Sequence, residues 1–123
     1  MKKKHMKVLI ILGIVLLGIL FISFNTGEVE DGKYDDFAKC LSENGAKMYG
    51  AFWCGHCKDQ KKMFGSSWKY VDYIECAEGD GQAAECRAAG ITGYPAWEFE
   101  DGSKMSGKIP MQQLSSITDC PLE

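Results

Sequence analysis

Cys54 and Cys57, in the stretch "AFWCGHCKDQ" (51–60), enclose Gly55 and His56 and follow an aromatic pair. Cysteines three residues apart at the start of a helix lie one turn apart. Their sulfurs then reach bonding distance while one stays open to solvent. Such a pair supports thiol–disulfide exchange, in which a thiolate attacks a disulfide sulfur through a mixed disulfide. A helix N-terminus carries roughly half a positive charge, which favours a thiolate there. His56 adds to this when protonated. Both effects stabilise the reduced dithiol, so a disulfide at this place is a relatively strong oxidant.

Two other chemistries use the same residues. A C-x-x-C can be half of a zinc site, but zinc takes four ligands, usually from a second close pair. Cys40, Cys76, Cys86 and Cys120 do not recur at that spacing. A purely structural pair suits these positions poorly, at a helix start behind Trp53 with Gly and His between. Tyr94-Pro95 is the second informative place. Proline lowers the cost of a cis bond to about 0.5–1 kcal/mol. Its plainer reading is the start of the strand "YPAWEF".

The elements that must position these residues alternate. "YDDFAKCLSENG" has Phe37, Cys40 and Leu41 at helical spacing and a stop at Asn44-Gly45. "AKMYGAFW" reads as a buried strand, and "CGHCKDQKKMFG" as a helix with Lys58, Lys61 and Lys62 in its later part. "YVDYIEC" alternates as a strand, and "DGQAAECRAAG" reads as an Ala-rich helix. "YPAWEFE" and "SKMSGKI" flank Asp101-Gly102, a strong hairpin signal. "PMQQLSSITDC" supplies a last helix starting at Pro110. The order α-β-α-β-α-β-β-α implies a layered α/β domain with an antiparallel edge. Phe37, Tyr49, Phe52, Tyr70, Tyr73, Trp97 and Phe99 read as core, and Glu75 as a solvated strand residue.

Charge and hydropathy divide the 123 residues. Lys2, Lys3, Lys4 and Lys7 open the chain, while all 17 acidic residues lie beyond position 25. The part after Phe24 therefore carries ten basic and 17 acidic side chains, a formal net of −7, which excludes an electrostatic nucleic-acid binder. "VLIILGIVLLGILFISF" (8–24) holds no charge and reads as a transmembrane anchor behind a cytosolic basic flank (1–7). A cleaved signal peptide shares that pattern, but "FISFNTG" lacks the small residues of a cleavage site. Residues 25–33 read as a linker and 34–123 as the folded domain. Either reading exports that domain, giving a single-pass protein of the cell membrane with its C-terminal domain outside the cytoplasm. All six cysteines lie in that exported part, where an even count suggests disulfides.

"FWCGHC", then "GITGYP" some thirty residues on, then a D-G hairpin, together resemble the thioredoxin superfamily. The centre is similar to that of protein disulfide isomerases. "MYGAFWCGHCKDQKKMFG", "YIECAEGDGQAAEC" and "GYPAWEF" resemble the thioredoxin-like domain that accompanies bacterial and archaeal vitamin K epoxide reductase homologues. The resemblance implies a three-layer thioredoxin-like domain with a four-stranded mixed sheet, here preceded by one transmembrane helix. It implies Cys54 as attacking thiol, Cys57 as resolving thiol, Trp53 as a shield and His56 as a tuner of potential. It also implies Pro95 as a cis-proline facing the sulfurs and the backbone of Tyr94 as a strand-pairing site for substrate. Thioredoxins keep a buried carboxylate six residues before the first cysteine, and this chain has Met48 there. Glu75 is a weak substitute for that proton relay.

The resemblance further favours a Cys76–Cys86 bridge, which leaves Cys40 with Cys120. Four cysteines allow three pairings, and Cys40 or Cys120 exchanging with a partner stays open. The expected activity is formation or isomerisation of disulfides in exported, cysteine-containing proteins. The expected recycling partner is a quinone-linked membrane reductase of the vitamin K epoxide type. No cofactor, metal or nucleic acid is expected. A disulfide reductase and a non-catalytic binding module for exported chains are the alternatives.

Overall fold

The computed structural model describes residues 2–23, with side chains to residue 19, and residues 30–123. Helix α1 (Lys2–Ser23) comes first. The folded part then runs α2 (Asp35–Glu43), β1 (Lys47–Gly50), α3 (Gly55–Phe64), a 3-10 helix (Gly65–Tyr70), β2 (Asp72–Glu75), β3 (Ala77–Glu78) and β4 (Gly81–Gln82). It ends with α4 (Ala84–Ala88), β5 (Ala96–Glu98), β6 (Lys104–Ser106) and α5 (Met111–Thr118).

Four strands form one mixed sheet in the order β2-β1-β5-β6, as the α/β reading expects. β1 runs parallel to β2 and antiparallel to β5, and β5 and β6 form the hairpin around Asp101-Gly102. Alternation along the strands sends side chains to two faces. Met48 and its register partner Trp97 join one apolar cluster with Phe37, Leu41, Cys57, Phe64, Ile109 and Leu114. Tyr49 and its partner Ala96 join a second with Cys76, Cys86 and Ile91. The sheet is therefore covered on one face by α2, α3 and α5, and on the other by α4 and its flanking segments.

Helix α3 buries Cys57, Gln60 and Phe64, spaced at three and four residues as one helical stripe requires. Gln60 is the polar member, and its amide is fully used. Nε2 donates to the carbonyl of Ile109 at 3.0 Å, and Oε1 accepts from Ile109 N–H at 2.7 Å and Trp97 Nε1 at 3.3 Å. Gly65, at φ 56°, ends the helix.

One expectation is not supported and two are corrected. Among the described residues no helix is long and apolar enough to cross a membrane, so the single transmembrane span over 8–24 is not seen. The helix is there, but its first turns hold Lys2, Lys3, Lys4 and Lys7, and the apolar run starts only at Val8. Phe24 and residues 25–29 of the expected linker lie outside the described residues. The Ala-rich helix expected over "DGQAAECRAAG" is reduced to Ala84–Ala88, because Gly81–Gln82 pairs with Ala77–Glu78 as a small hairpin. Phe52, expected in the core, is 67% exposed, because β1 stops at Gly50 and the chain turns there, Cys54 N–H donating to the carbonyl of Ala51.

Candidate redox site

Cys54 is the N-cap of α3, with extended backbone just before the first helical residue. Its Sγ accepts the backbone N–H of Cys57 at 3.1 Å. A sulfur at that place meets the unpaired N–H groups of the first turn, the setting that lowers a thiol's pKa. Cys54 and Cys57 are joined in a disulfide. Their burial differs: Cys54 keeps 7% exposure and Cys57 none. Cys54 is therefore less open than an exposed thiol, yet it alone of the pair presents a surface to solvent. Only Cys54 offers an incoming sulfur a line of approach.

The rim is aromatic. Trp53 is 61% exposed, and its ring meets that of Tyr94 edge-on with centroids 5.8 Å apart. Tyr94 is fixed by Gln82, whose Nε2 donates to Tyr94 Oη at 2.8 Å and to the carbonyl of Ile91 at 2.8 Å. The guanidinium of Arg87 in turn donates to the carbonyl of Gln82. The β3–β4 hairpin, which periodicity did not reveal, thus holds one side of the rim. The Tyr94–Pro95 bond is cis, and Pro95 is buried. Since Tyr49 stands opposite Ala96, Pro95 lies level with Gly50 at the end of β1. The carbonyl of Pro95 accepts from Gly107 N–H at 2.8 Å. His56 lies exposed on the first turn of α3.

On the other side stand Tyr73, expected in the core, and Glu75, expected as a solvated strand residue or a weak substitute for the proton relay. Tyr73 Oη donates to Glu75 Oε2 at 2.6 Å. Glu75 Oε1 accepts from the N–H groups of Phe52 and Ala77, both at 3.0 Å. Burial works against the Glu75 charge. The hydrogen bonds from Tyr73, Ala77 and Phe52 and the nearby Lys61 outweigh it and hold the carboxyl below its ordinary range. Burial, then the hydrogen bond to Glu75 and its charge, push the Tyr73 phenol well above its usual range. Glu75 is thus more than a solvated strand residue: it ties the Phe52 loop to β2. The signal available in the sequence was Glu75 itself, one residue before the strand-closing Cys76.

The remaining cysteines are paired Cys40–Cys120 and Cys76–Cys86. The first joins the end of α2 to the segment after α5, and the second clasps the β3–β4 hairpin to α4. Asn44 supports the first, its Nδ2 donating to the carbonyl of Thr118 at 2.8 Å and lying 3.5 Å from Cys120 Sγ. Among the described residues no group of three or more His, Cys, Asp or Glu is placed to hold a metal ion.

No family model matches the chain. Over 92 residues it is 41% identical to the thiol-disulfide oxidoreductase LTO1 of Arabidopsis thaliana, a match covering 70% of this chain and 24% of that protein. The chain thus spans about a quarter of the length of the curated relative it matches.

Proposed function

We propose that this chain is a thiol–disulfide oxidoreductase that forms or rearranges disulfides in exported, cysteine-containing proteins. The observation that carries this reading is the asymmetry of the pair: Cys54 caps a helix and keeps an open edge, while Cys57 is sealed one turn behind it. A substrate thiolate attacks Cys54 Sγ, and Cys57 leaves. A second substrate thiolate then attacks the substrate sulfur of the mixed disulfide, forming the substrate's own bridge and releasing Cys54 as a thiolate. The Trp53–Tyr94 rim guides an extended segment toward Cys54, whose backbone pairs beside Tyr94 and Pro95. His56 favours the Cys54 thiolate when it carries a proton. The name of the Arabidopsis relative, a thiol-disulfide oxidoreductase, supports the same activity.

The chain acts at the outer face of a cell membrane, attached through α1. Supporting this are the lysines confined to its first turns and the exposed apolar side chains from Val8 to Leu17. A quinone-linked membrane reductase of the vitamin K epoxide type returns the dithiol to the disulfide. The family resemblance of the motif supports that partner.

Trapping tests the reading. With Cys57→Ala in cells, the free Cys54 thiolate attacks disulfides carried by its partners, breaking the partner's S–S bond and forming a mixed disulfide that this chain has no second thiol to resolve. Mass spectrometry is expected to find exported proteins and a membrane reductase disulfide-linked to Cys54, all absent in the Cys54→Ala, Cys57→Ala variant. A Cys54→Ser, Cys57→Ser chain that retains full activity in vivo would overturn the reading in favour of a binding module.

A further inference from the structure

The sulfur of Cys57 is shut away from solvent, yet exchange requires it to gain and lose a proton. When Cys57 leaves with the bonding electron pair it becomes a thiolate in an apolar place, where charge is disfavoured. A proton must reach it, and it cannot come from bulk water directly.

One side of Cys57 is open to a path. Gly50 has no side chain, and a Cβ built there would lie 3.1 Å from Cys57 Sγ, 3.2 Å from Tyr73 Oη and 2.9 Å from Tyr73 Cε2. The sulfur and the phenol oxygen therefore border the same notch, within about 6 Å of each other, a gap a single water spans. From Tyr73 Oη the hydrogen bond to Glu75 Oε2 leads outward at 2.6 Å to an exposed residue. Charges facing this line come from α3 and β2. Lys61 Nζ stands 3.9 Å from the Tyr73 ring centroid, and Glu75 is the acid. The 3-10 helix contributes the ring of Trp68, 5.7 Å from that of Tyr73, which does not ionise. The β1–α3 loop and β3 contribute the N–H groups of Phe52 and Ala77.

We propose that Tyr73 and Glu75 are the proton path of the buried Cys57 sulfur. The inference rests on the exchange reading above. In the oxidising direction a substrate thiolate forms a bond to Cys54 Sγ and the Cys54–Cys57 bond breaks. Cys57 departs with the electron pair and takes a proton from Tyr73 Oη through a water bridging the notch. Tyr73 is refilled from the Glu75 carboxyl, which has drawn its proton from bulk water. The substrate sulfur is oxidised, the Cys57 sulfur is reduced, and one proton moves from solvent to Cys57. In the resolving direction the same atoms carry the proton out. The high phenol pKa keeps Tyr73 protonated between turnovers, so it passes a proton rather than storing one.

The test uses the purified full chain with reduced dithiothreitol as the attacking thiol. Reduction of the Cys54–Cys57 disulfide is followed by Trp53 fluorescence from pH 5 to 9. Tyr73→Phe keeps the ring over Gly50, and Glu75→Gln keeps an acceptor for Phe52 and Ala77. Each is expected to exchange about a hundredfold more slowly than wild type at high pH, with the deficit closing toward acid as hydronium replaces the path. If Tyr73→Phe does not fold, judged by melting and by the two other disulfides, Glu75→Gln carries the test. Variants that match wild type at every pH, or a deficit that does not change with pH, would overturn the path while leaving the exchange reading standing. A wild-type chain that does not exchange with dithiothreitol would overturn both.

Discussion

Gln60 accepts a hydrogen bond from the indole Nε1 of Trp97 at 3.3 Å, in the middle of the core and one turn beyond Cys57 on the same buried face of α3. The bond fixes the height of the dithiol helix over β5. Replacing Gln60 by Leu strands Trp97 Nε1 and both backbone groups of Ile109. Each buried polar group left unpaired costs about 1–3 kcal/mol. Gln60→Leu is therefore expected to lower unfolding free energy by at least about 3 kcal/mol in urea melts. A loss within 0.5 kcal/mol or so would mean the site relaxes around water.

Gly50 is expected to tolerate no side chain. A methyl group there meets the Tyr73 ring at 2.9 Å and Cys57 Sγ at 3.1 Å, and both neighbours are held by packing. Overpacking of this kind typically costs 1–3 kcal/mol. Gly50→Ala should destabilise by about that amount and make Cys57 easier to alkylate after reduction. Unchanged stability together with unchanged alkylation would show that the notch is wider than described.

The three disulfides should open in order. Cys76 and Cys86 are both wholly buried, whereas Cys40 is half-buried and more open than Cys54, so what puts Cys54–Cys57 first is the helix N-terminus that stabilises the Cys54 thiolate. Low dithiothreitol is expected to release two thiols, mapped to Cys54 and Cys57 by mass spectrometry. The structural bridges differ in the loops they close, 80 residues for Cys40–Cys120 and 10 for Cys76–Cys86. Chain-entropy reasoning puts their loss at roughly 4–5 and about 2.7 kcal/mol respectively. A larger loss from the Cys76→Ser, Cys86→Ser pair would point to strain or packing rather than loop closure.

Glu98 sets part of the acid limit. It stands between Lys47 at 3.4 Å and Lys104 at 3.0 Å, on three adjacent strands. Burial works against its charge, but hydrogen bonds from the two lysines hold its carboxyl below the ordinary range. A depressed folded pKa gives stability that is present above the unfolded value, about 4.3, and is lost as pH falls through the folded one. Lys47 moves the other way: its hydrogen bond to Glu98 raises it, so its share is lost only as pH rises through its folded value. Glu98→Gln should lower stability at pH 7 by less than about 1 kcal/mol and leave less to lose below pH 4. An equal loss at pH 3 and pH 7 would contradict this.

How far the residues revealed the fold depends on the range of the signal. Phe37, Cys40 and Leu41 mark α2 through helical spacing, and Asp101-Gly102 marks the β5–β6 turn, because both are local. The β3–β4 hairpin has two-residue strands, too short to show alternation, so its residues were read into the Ala-rich helix that follows. Phe52 looked like core because it continues an apolar run, and nothing local says that β1 ends at Gly50. Glu75 alternates as an exposed strand residue should. Its partners, Tyr73 Oη and the N–H groups of Phe52 and Ala77, are set by how strand and loop close on each other. The Cys54–Cys57 pair was readable because two cysteines at one helical turn carry their own geometry.

Alkylation of Cys54 tests the central claim most directly. In the reduced chain, the rate of iodoacetamide modification at Cys54 is measured against pH by mass spectrometry. An N-cap sulfur served by the Cys57 N–H and the helix dipole should ionise below about pH 7.5, with Cys57 unreactive over the same range. An inflection near pH 8.5, the value of an ordinary thiol, or equal reactivity at both cysteines, would contradict the account.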